Sequence, residues 1–315
     1  MIWVALCSAL ATIAIWPFLR ERLRPPMDET ARRTAPGQGI PLPSGLTHYE
    51  WIGSARGPVA LCIHGLTTPS FVWKGIALAL AAMGYRVLIY DLYGRGYSDR
   101  PPGRQTRAFF LRQLNELLAA QDLGQDLTII GYSMGGAIAT AFAAAHPDRV
   151  RQLVLLAPAG IRVRQPTRLE QMLKWPLIGD WLMLMFYPGQ HLRGIAAERG
   201  LPSSVPDIHD RQKAELRFRG FVPAVLSSYR GLLSETFKAD HIQIAQHNIP
   251  TLAVFGGADP LVPPSAAGPL IEWHRRARVE VIAGAGHGLP YTHTDAVMHH
   301  VTDFLRDRGK LNLRP

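Results

Sequence analysis

The sequence predicts an α/β fold: a mostly parallel central sheet with helices on both faces, carrying a helical lid insertion and an N-terminal transmembrane helix. Three observations predict it. Short, continuous apolar runs alternate with helical stretches, the pattern of strands buried on both faces. Gly131-Tyr132-Ser133-Met134-Gly135 stands between one such run and a helix of small residues. Residues 161–248 then break the alternation with a stretch too long for a simple crossover.

Taken in order, residues 2–19 carry no charged side chain. As a helix they span roughly 27 Å, against a hydrocarbon core of about 30 Å. Only the α-amino group precedes the run, and Arg20, Arg22 and Arg24 follow it. A secretory signal wants the opposite flanks and a cleavage site, so an uncleaved single-pass anchor is expected. The basic C-terminal flank predicts an outward amino terminus and a cytoplasmic catalytic domain. Pro17 is compatible with a membrane-helix end. Residues 20–47 read as a linker, because 25–43 are rich in proline, with two glycines and mixed charge, and lack apolar periodicity.

From there strands are expected at 59–63, 86–90, 127–130, 153–157, 251–255 and 278–282. Helices are expected at 72–83, 107–120 and 133–145, with Gly84 and Gly124 as stops. This gives a core in two parts, 48–160 and 249–315, around a lid at 161–248. The first part of the lid, 169–187, is crowded with Leu, Met, Trp and Phe. Trp175, Leu177, Trp181, Leu184, Met185 and Phe186 are candidates for lining an acyl pocket, the alternative being that they pack the lid's own core.

The chain has 315 residues and a formal net charge of +10, enough length for one catalytic domain with an insertion. Its basic residues are scattered, with no aromatic-interleaved stripe, which argues against nucleic acid and favours an anionic membrane surface. Of its two cysteines, Cys7 lies in the apolar N-terminal run and Cys62 in a strand, placements that suit neither a mutual disulfide nor a metal site.

The chemistry starts at Ser133. A strand that reverses sharply into a helix forces this residue into a strained conformation, and side chains at 131 and 135 would collide with nearby backbone. A serine hydroxyl needs a base, and the base needs an acid to fix its tautomer. Asp259 follows the strand at 251–255 in a Gly-Gly-Ala-Asp-Pro loop, and His287 follows the strand at 278–282 in a Gly-Ala-Gly-His-Gly loop. Asp91, also at a strand end, is the rival acid and more naturally shapes its own loop. His146, His274, His293, His299 and His300 suit capping or solvent-facing positions. Two backbone donors should receive the oxyanion: the amides of Met134, at the start of the helix, and Leu66, in His64-Gly65-Leu66-Thr67. His64 would brace that loop.

These motifs resemble the α/β-hydrolase superfamily, serine-hydrolase branch, over about residues 48–310. The anchor, the lid and Leu156-Ala157-Pro158-Ala159-Gly160 are similar to those of membrane-anchored monoacylglycerol-lipase-like hydrolases. Epoxide hydrolases and haloalkane dehalogenases of the superfamily place aspartate where Ser133 stands, so the resemblance implies acyl chemistry. It implies a Ser133, His287, Asp259 triad acting on a lipid-like ester without metal or organic cofactor. Small-ester and carbon-carbon bond hydrolases share this triad, and a catalytically silent binding protein on the same fold is the alternative of another class.

Overall fold

The computed structural model describes residues 1–161 and 167–311, without the side chains of residues 169 and 307–311. The start of the expected lid (162–166) and the tail of the expected second core part (312–315) therefore lie outside the described residues.

Eight strands form one sheet: β1 (Gln38–Leu42), β2 (Gly45–Ile52), β3 (Val59–Ile63), β4 (Arg86–Tyr90), β5 (Leu127–Tyr132), β6 (Val150–Leu156), β7 (Thr251–Gly256) and β8 (Arg278–Ile282). Their order is β1-β2-β4-β3-β5-β6-β7-β8. The β1–β2 and β2–β4 pairs are antiparallel and all later pairs are parallel.

The helices are α1 (Ile2–Arg22), α2 (Glu29–Arg32), α3 (Lys74–Ala82), α4 (Arg107–Ala120), α5 (Met134–Ala145), α6 (Arg168–Met172), α7 (Ile178–Ala197), α8 (Ile208–Glu215), α9 (Phe221–Arg230), α10 (Lys238–Gln246), α11 (Ala267–Trp273), α12 (Leu289–Thr292) and α13 (Thr294–Leu311).

Successive strand residues point to opposite faces, and the core divides accordingly. Leu61, Ile63, Leu88, Leu153 and Phe255 face α4, α5, α10 and α11, where Leu114, Phe142, Ile244 and Leu270 meet them. Cys62, Ile89, Ile130, Val154 and Val254 face α3, α12 and α13, where Ile76, Leu80, Leu289 and Val301 meet them. Each such leucine, isoleucine, valine or phenylalanine contributes about 1.5–3 kcal/mol on burial. Cys62 is fully buried, and desolvation pushes its thiol well up, so it behaves as a small core residue.

The linker expected at 20–47 is corrected by the structure. Residues 38–42 and 45–52 form an antiparallel hairpin, with Ile40 opposite Thr47, that extends the sheet past β4. Two glycines and Pro41 conceal the period of β1, and proline is admissible there because β1 is an edge strand.

The segment expected as a lid divides in two. α7 and α9 pack together on a cluster of Met183, Leu184, Phe221, Val222, Val225 and Leu226. α10 instead packs beside α5, with Ile244 in the main core. The insertion thus supplies both a cap and a layer helix.

α1 is long and apolar enough to cross a membrane, and its 18-residue apolar window is 6% buried. Its second half does not dangle from the domain. The Trp181 indole donates to the Ile13 carbonyl at 3.1 Å, Arg20 donates to the Leu184 carbonyl at 2.9 Å, and the Gly220 amide donates to the Glu21 carboxylate at 2.6 Å.

Candidate active site

The turn from β5 into α5 creates the site. Ser133 sits at φ 52°, ψ −118°, a conformation that L residues rarely adopt. The flanking glycines are required by close backbone approach. A Cβ on Gly131 would stand 2.4 Å from the Gly135 carbonyl oxygen, and one on Gly135 would stand 2.0 Å from that of Ile63. The collision expected from the sequence is therefore present on both sides of the serine.

The loops after β7 and β8 bring two further groups to Ser133. His287 Nε2 lies 3.0 Å from Ser133 Oγ, and His287 Nδ1 lies 2.7 Å from Asp259 Oδ2. Asp259 Oδ1 also accepts the amides of Leu261 and Val262 at 2.8 and 2.9 Å. With its side chain fully buried, this carboxylate is held rigidly and aimed at one ring nitrogen. The partners fix the imidazole tautomer: Nδ1 carries the proton toward Asp259, and Nε2 is free to accept the serine proton. Ser133 and His287 are half-buried.

Tyr132 is a further member of this group. Its ring lies 5.3 Å from that of His287, centroid to centroid, and its hydroxyl donates to the His287 backbone. Nothing in the pentapeptide marks the residue before the serine as a support for the histidine.

Loop 64–66 lies against the elbow: a Cβ on Gly65 would stand 3.3 Å from Ser133 Cβ. The amides of Leu66 and Met134 have no acceptor among the described residues. His64 braces the loop as expected. Its Nδ1–H donates to the Gly65 carbonyl at 2.7 Å, in the peptide that also carries the Leu66 N–H, and its Nε2 accepts the Leu92 amide at 2.9 Å. Full burial lowers the His64 pKa to about 4, so the ring stays neutral with one donor and one acceptor.

Asp91 stands apart from this group. It accepts from the Ser70 amide, the Tyr97 amide and His48 Nδ1, at 2.9, 2.9 and 2.8 Å, and so ties its loop together. Burial opposes its charge, yet these hydrogen bonds and the facing imidazole hold it well below the usual carboxylate range. The other histidines are elsewhere too: His146 and His274 follow the last residues of α5 and α11, and His299 is exposed on α13.

Of the expected acyl-pocket residues, three are exposed at the surface and Leu184 is buried. Trp175 and Phe186 are 56% and 58% exposed, Leu177 is also exposed, and Trp181 packs edge-on against Phe186 while bonding α1. Met185 is half-buried one turn beyond Trp181, on the same outward side of α7. Half a turn away, Met183 and Tyr187 point inward and join the cluster packed against Leu66. Amino-acid type alone does not show which stripe of α7 faces inward. Leu184 does line a cavity of about 230 Å³, together with Phe18, Leu177, Met183, Val222 and Leu226, between the end of α1 and helices α7 and α9.

The chain is 28% identical over 262 residues to 2-hydroxymuconate semialdehyde hydrolase of Pseudomonas sp. (strain CF600), covering 81% of this chain and 89% of that protein. It is 28% identical over 256 residues to Lipase 1 of Psychrobacter immobilis, covering 76% and 74%. A shorter match to an uncharacterized protein of Mycobacterium tuberculosis, 34% identical over 108 residues, spans only 31% of that protein and 34% of this chain. In fold, a bacterial membrane phospholipase A superposes with a TM-score of 0.70 at 21% identity, covering 97% of this chain and 96% of that one. The model of the alpha/beta hydrolase fold matches residues 58–294, and the chain belongs to that family.

Proposed function

We propose that the protein is a membrane-anchored serine hydrolase that cleaves carboxylic esters, lipid-like ones such as monoacylglycerols foremost. The observation that carries this reading is the continuous Ser133, His287, Asp259 chain beside two unengaged amides. Ser133 Oγ attacks the ester carbonyl while His287 Nε2 takes its proton. The oxyanion settles on the amides of Leu66 and Met134. His287 then protonates the departing alcohol, and water activated by the same ring releases the acyl group from Ser133. Asp259 keeps the imidazole oriented and stabilises its charged form.

The lipid preference draws on the chain's own surface. α1 supplies an apolar anchor whose basic last turn faces the cytoplasm, the exposed Trp175, Leu177 and Phe186 extend an apolar surface beside it, and the lid segment 161–248 carries more Lys and Arg than Asp and Glu. Lipase 1 and the membrane phospholipase A give support by similarity.

A second reading, a carbon-carbon bond hydrolase, is favoured by the likeness to the semialdehyde hydrolase, because the same residues suit it. Turnover of acyl esters of increasing chain length by the full-length protein in detergent separates the two. Rates that rise with chain length support the lipid reading. A fluorophosphonate probe that leaves Ser133 unlabelled, with no ester turned over, overturns the enzyme and leaves a silent binding fold.

A further inference from the structure

We propose that Arg95 is a positioning residue for the oxyanion-stabilising loop, tying the Leu66 carbonyl to lid helix α9 so that the seating of the lid sets the aim of the Leu66 amide. The inference rests on reading Ser133 as nucleophile and Leu66 as oxyanion donor.

Arg95 follows β4 and is fully buried. A guanidinium has five N–H donors, and here all five are used. Nε donates to the Leu66 carbonyl at 3.0 Å. Nη1 donates to the Tyr93 carbonyl at 2.9 Å and to the Gln105 side chain. Nη2 donates to the Ala224 carbonyl at 3.2 Å and to Ser228 Oγ at 2.7 Å, both on α9. Ser228 Oγ also donates to the Gln105 side chain at 2.6 Å, closing the network.

Every one of these acceptors is neutral. A buried cation without a hydrogen-bonded anion is an expensive way to fill space, and apolar residues of similar volume usually serve stability as well or better. What the charge achieves is geometry: one rigid planar group holds the catalytic loop, the loop after β4 and the lid at fixed mutual positions. The approach is close, since a Cβ on Gly94 would stand 2.5 Å from that of Ala224. The Leu66 side chain packs against the lid cluster of Met183, Phe221 and Val225, so the lid grips residue 66 by both its carbonyl and its side chain. His64 fixes the peptide on the other side of the same residue.

The test uses full-length protein in detergent, normalised by active-site titration, with Arg95→Met, Arg95→Lys and Ser228→Ala. Folded Arg95→Met should lose about 10²-fold in kcat, the scale of one oxyanion donor, with KM within about threefold of wild type. Affinity for a boronic acid that forms a tetrahedral adduct with Ser133 should fall in parallel, and Arg95→Lys should recover only part of the loss, as one ammonium does not span both the loop and α9. A role confined to stability would lower Tm and the active fraction while leaving kcat per active site and boronate affinity unchanged. That result for folded Arg95→Met overturns the inference. Should Arg95→Met not fold, Ser228→Ala decides: a kcat lowered by about three- to tenfold supports it, and an unchanged kcat overturns it. A wild-type chain that is neither labelled at Ser133 nor active on esters overturns both this inference and the reading beneath it, whereas a labelled, active wild type beside an equally active Arg95→Met overturns this inference alone.

Discussion

The Tyr132 hydroxyl donates to the His287 carbonyl at 3.0 Å, so the residue before the serine holds the backbone of the imidazole that is hydrogen-bonded to that serine. β6 and β7 lie between β5 and β8 in the sheet, and this contact joins β5 directly to the loop after β8. Tyr132→Phe keeps the ring against His287 and removes only the hydrogen bond, worth about 1 kcal/mol. The expected outcome is a kcat lowered by up to about tenfold with KM little changed, measured by steady-state ester hydrolysis.

Backbone strain at Ser133 gives a second prediction. Ser133→Ala should reduce turnover by roughly 10⁴ to 10⁶ while the domain stays folded. Ser133→Gly should be equally inactive and more stable than wild type by about 1 kcal/mol, because glycine adopts a positive φ without strain. Chemical denaturation of both variants checks it: a Ser133→Gly midpoint at or below that of wild type would show that the elbow stores no strain.

Gly135→Ala tests the close approach at the elbow. The added methyl group would meet the carbonyl oxygens of Ile63 and His64, rigid backbone with no free end to move aside. A loss of about 3 kcal/mol or more, or failure to accumulate folded protein, is the expected result. Gly84→Ala serves as the control for glycine replacement without crowding, as nothing lies within 4 Å of its added Cβ and only its φ of 89° resists the change.

A pH dependence of stability follows from His48. Burial alone would lower its pKa, but Asp91 at Nδ1, the Pro36 carbonyl at Nε2 and the charge of Glu50 raise it above the ordinary 6.5. Both ring nitrogens face acceptors, which only the imidazolium satisfies. A raised folded pKa gives stability that is fully present below the unfolded value and lost as pH rises through the folded one. Asp91, held low, loses its own share only in acid, as pH falls from the ordinary 3.8 through its lowered folded value. The Tm difference between wild type and His48→Gln should thus be largest just below pH 6.5 and shrink toward alkaline pH. A difference that grows with pH would contradict this.

Much of the site was legible because its constraints are local. The glycines around Ser133 and the loops carrying Asp259 and His287 announce themselves by composition at strand ends. The loop that carries the unengaged Leu66 amide follows from its position after β3. Long-range packing left no such trace. Arg95 reads as one more basic residue in a glycine-containing loop until α9 is folded over it, and Tyr132 reads as a core aromatic. The hairpin at 38–52 was hidden by Pro41 and its neighbouring glycines, residues that signal loops everywhere except at a sheet edge. On α7 the apolar residues that the sequence singles out divide between the outward Trp181 and Phe186 and the buried Leu184, because Trp and Phe are drawn to any apolar surroundings, inside the domain or out.

The contacts of α1 with α7 and α9 also set how the helix and the domain sit together. A leash of random coil would let the domain roll freely about the helix. Here Ile13, Arg20 and Glu21 clasp residues on or beside α7 and α9, so helix and cap turn as one piece. The heading of the domain relative to that helix is thus already chosen.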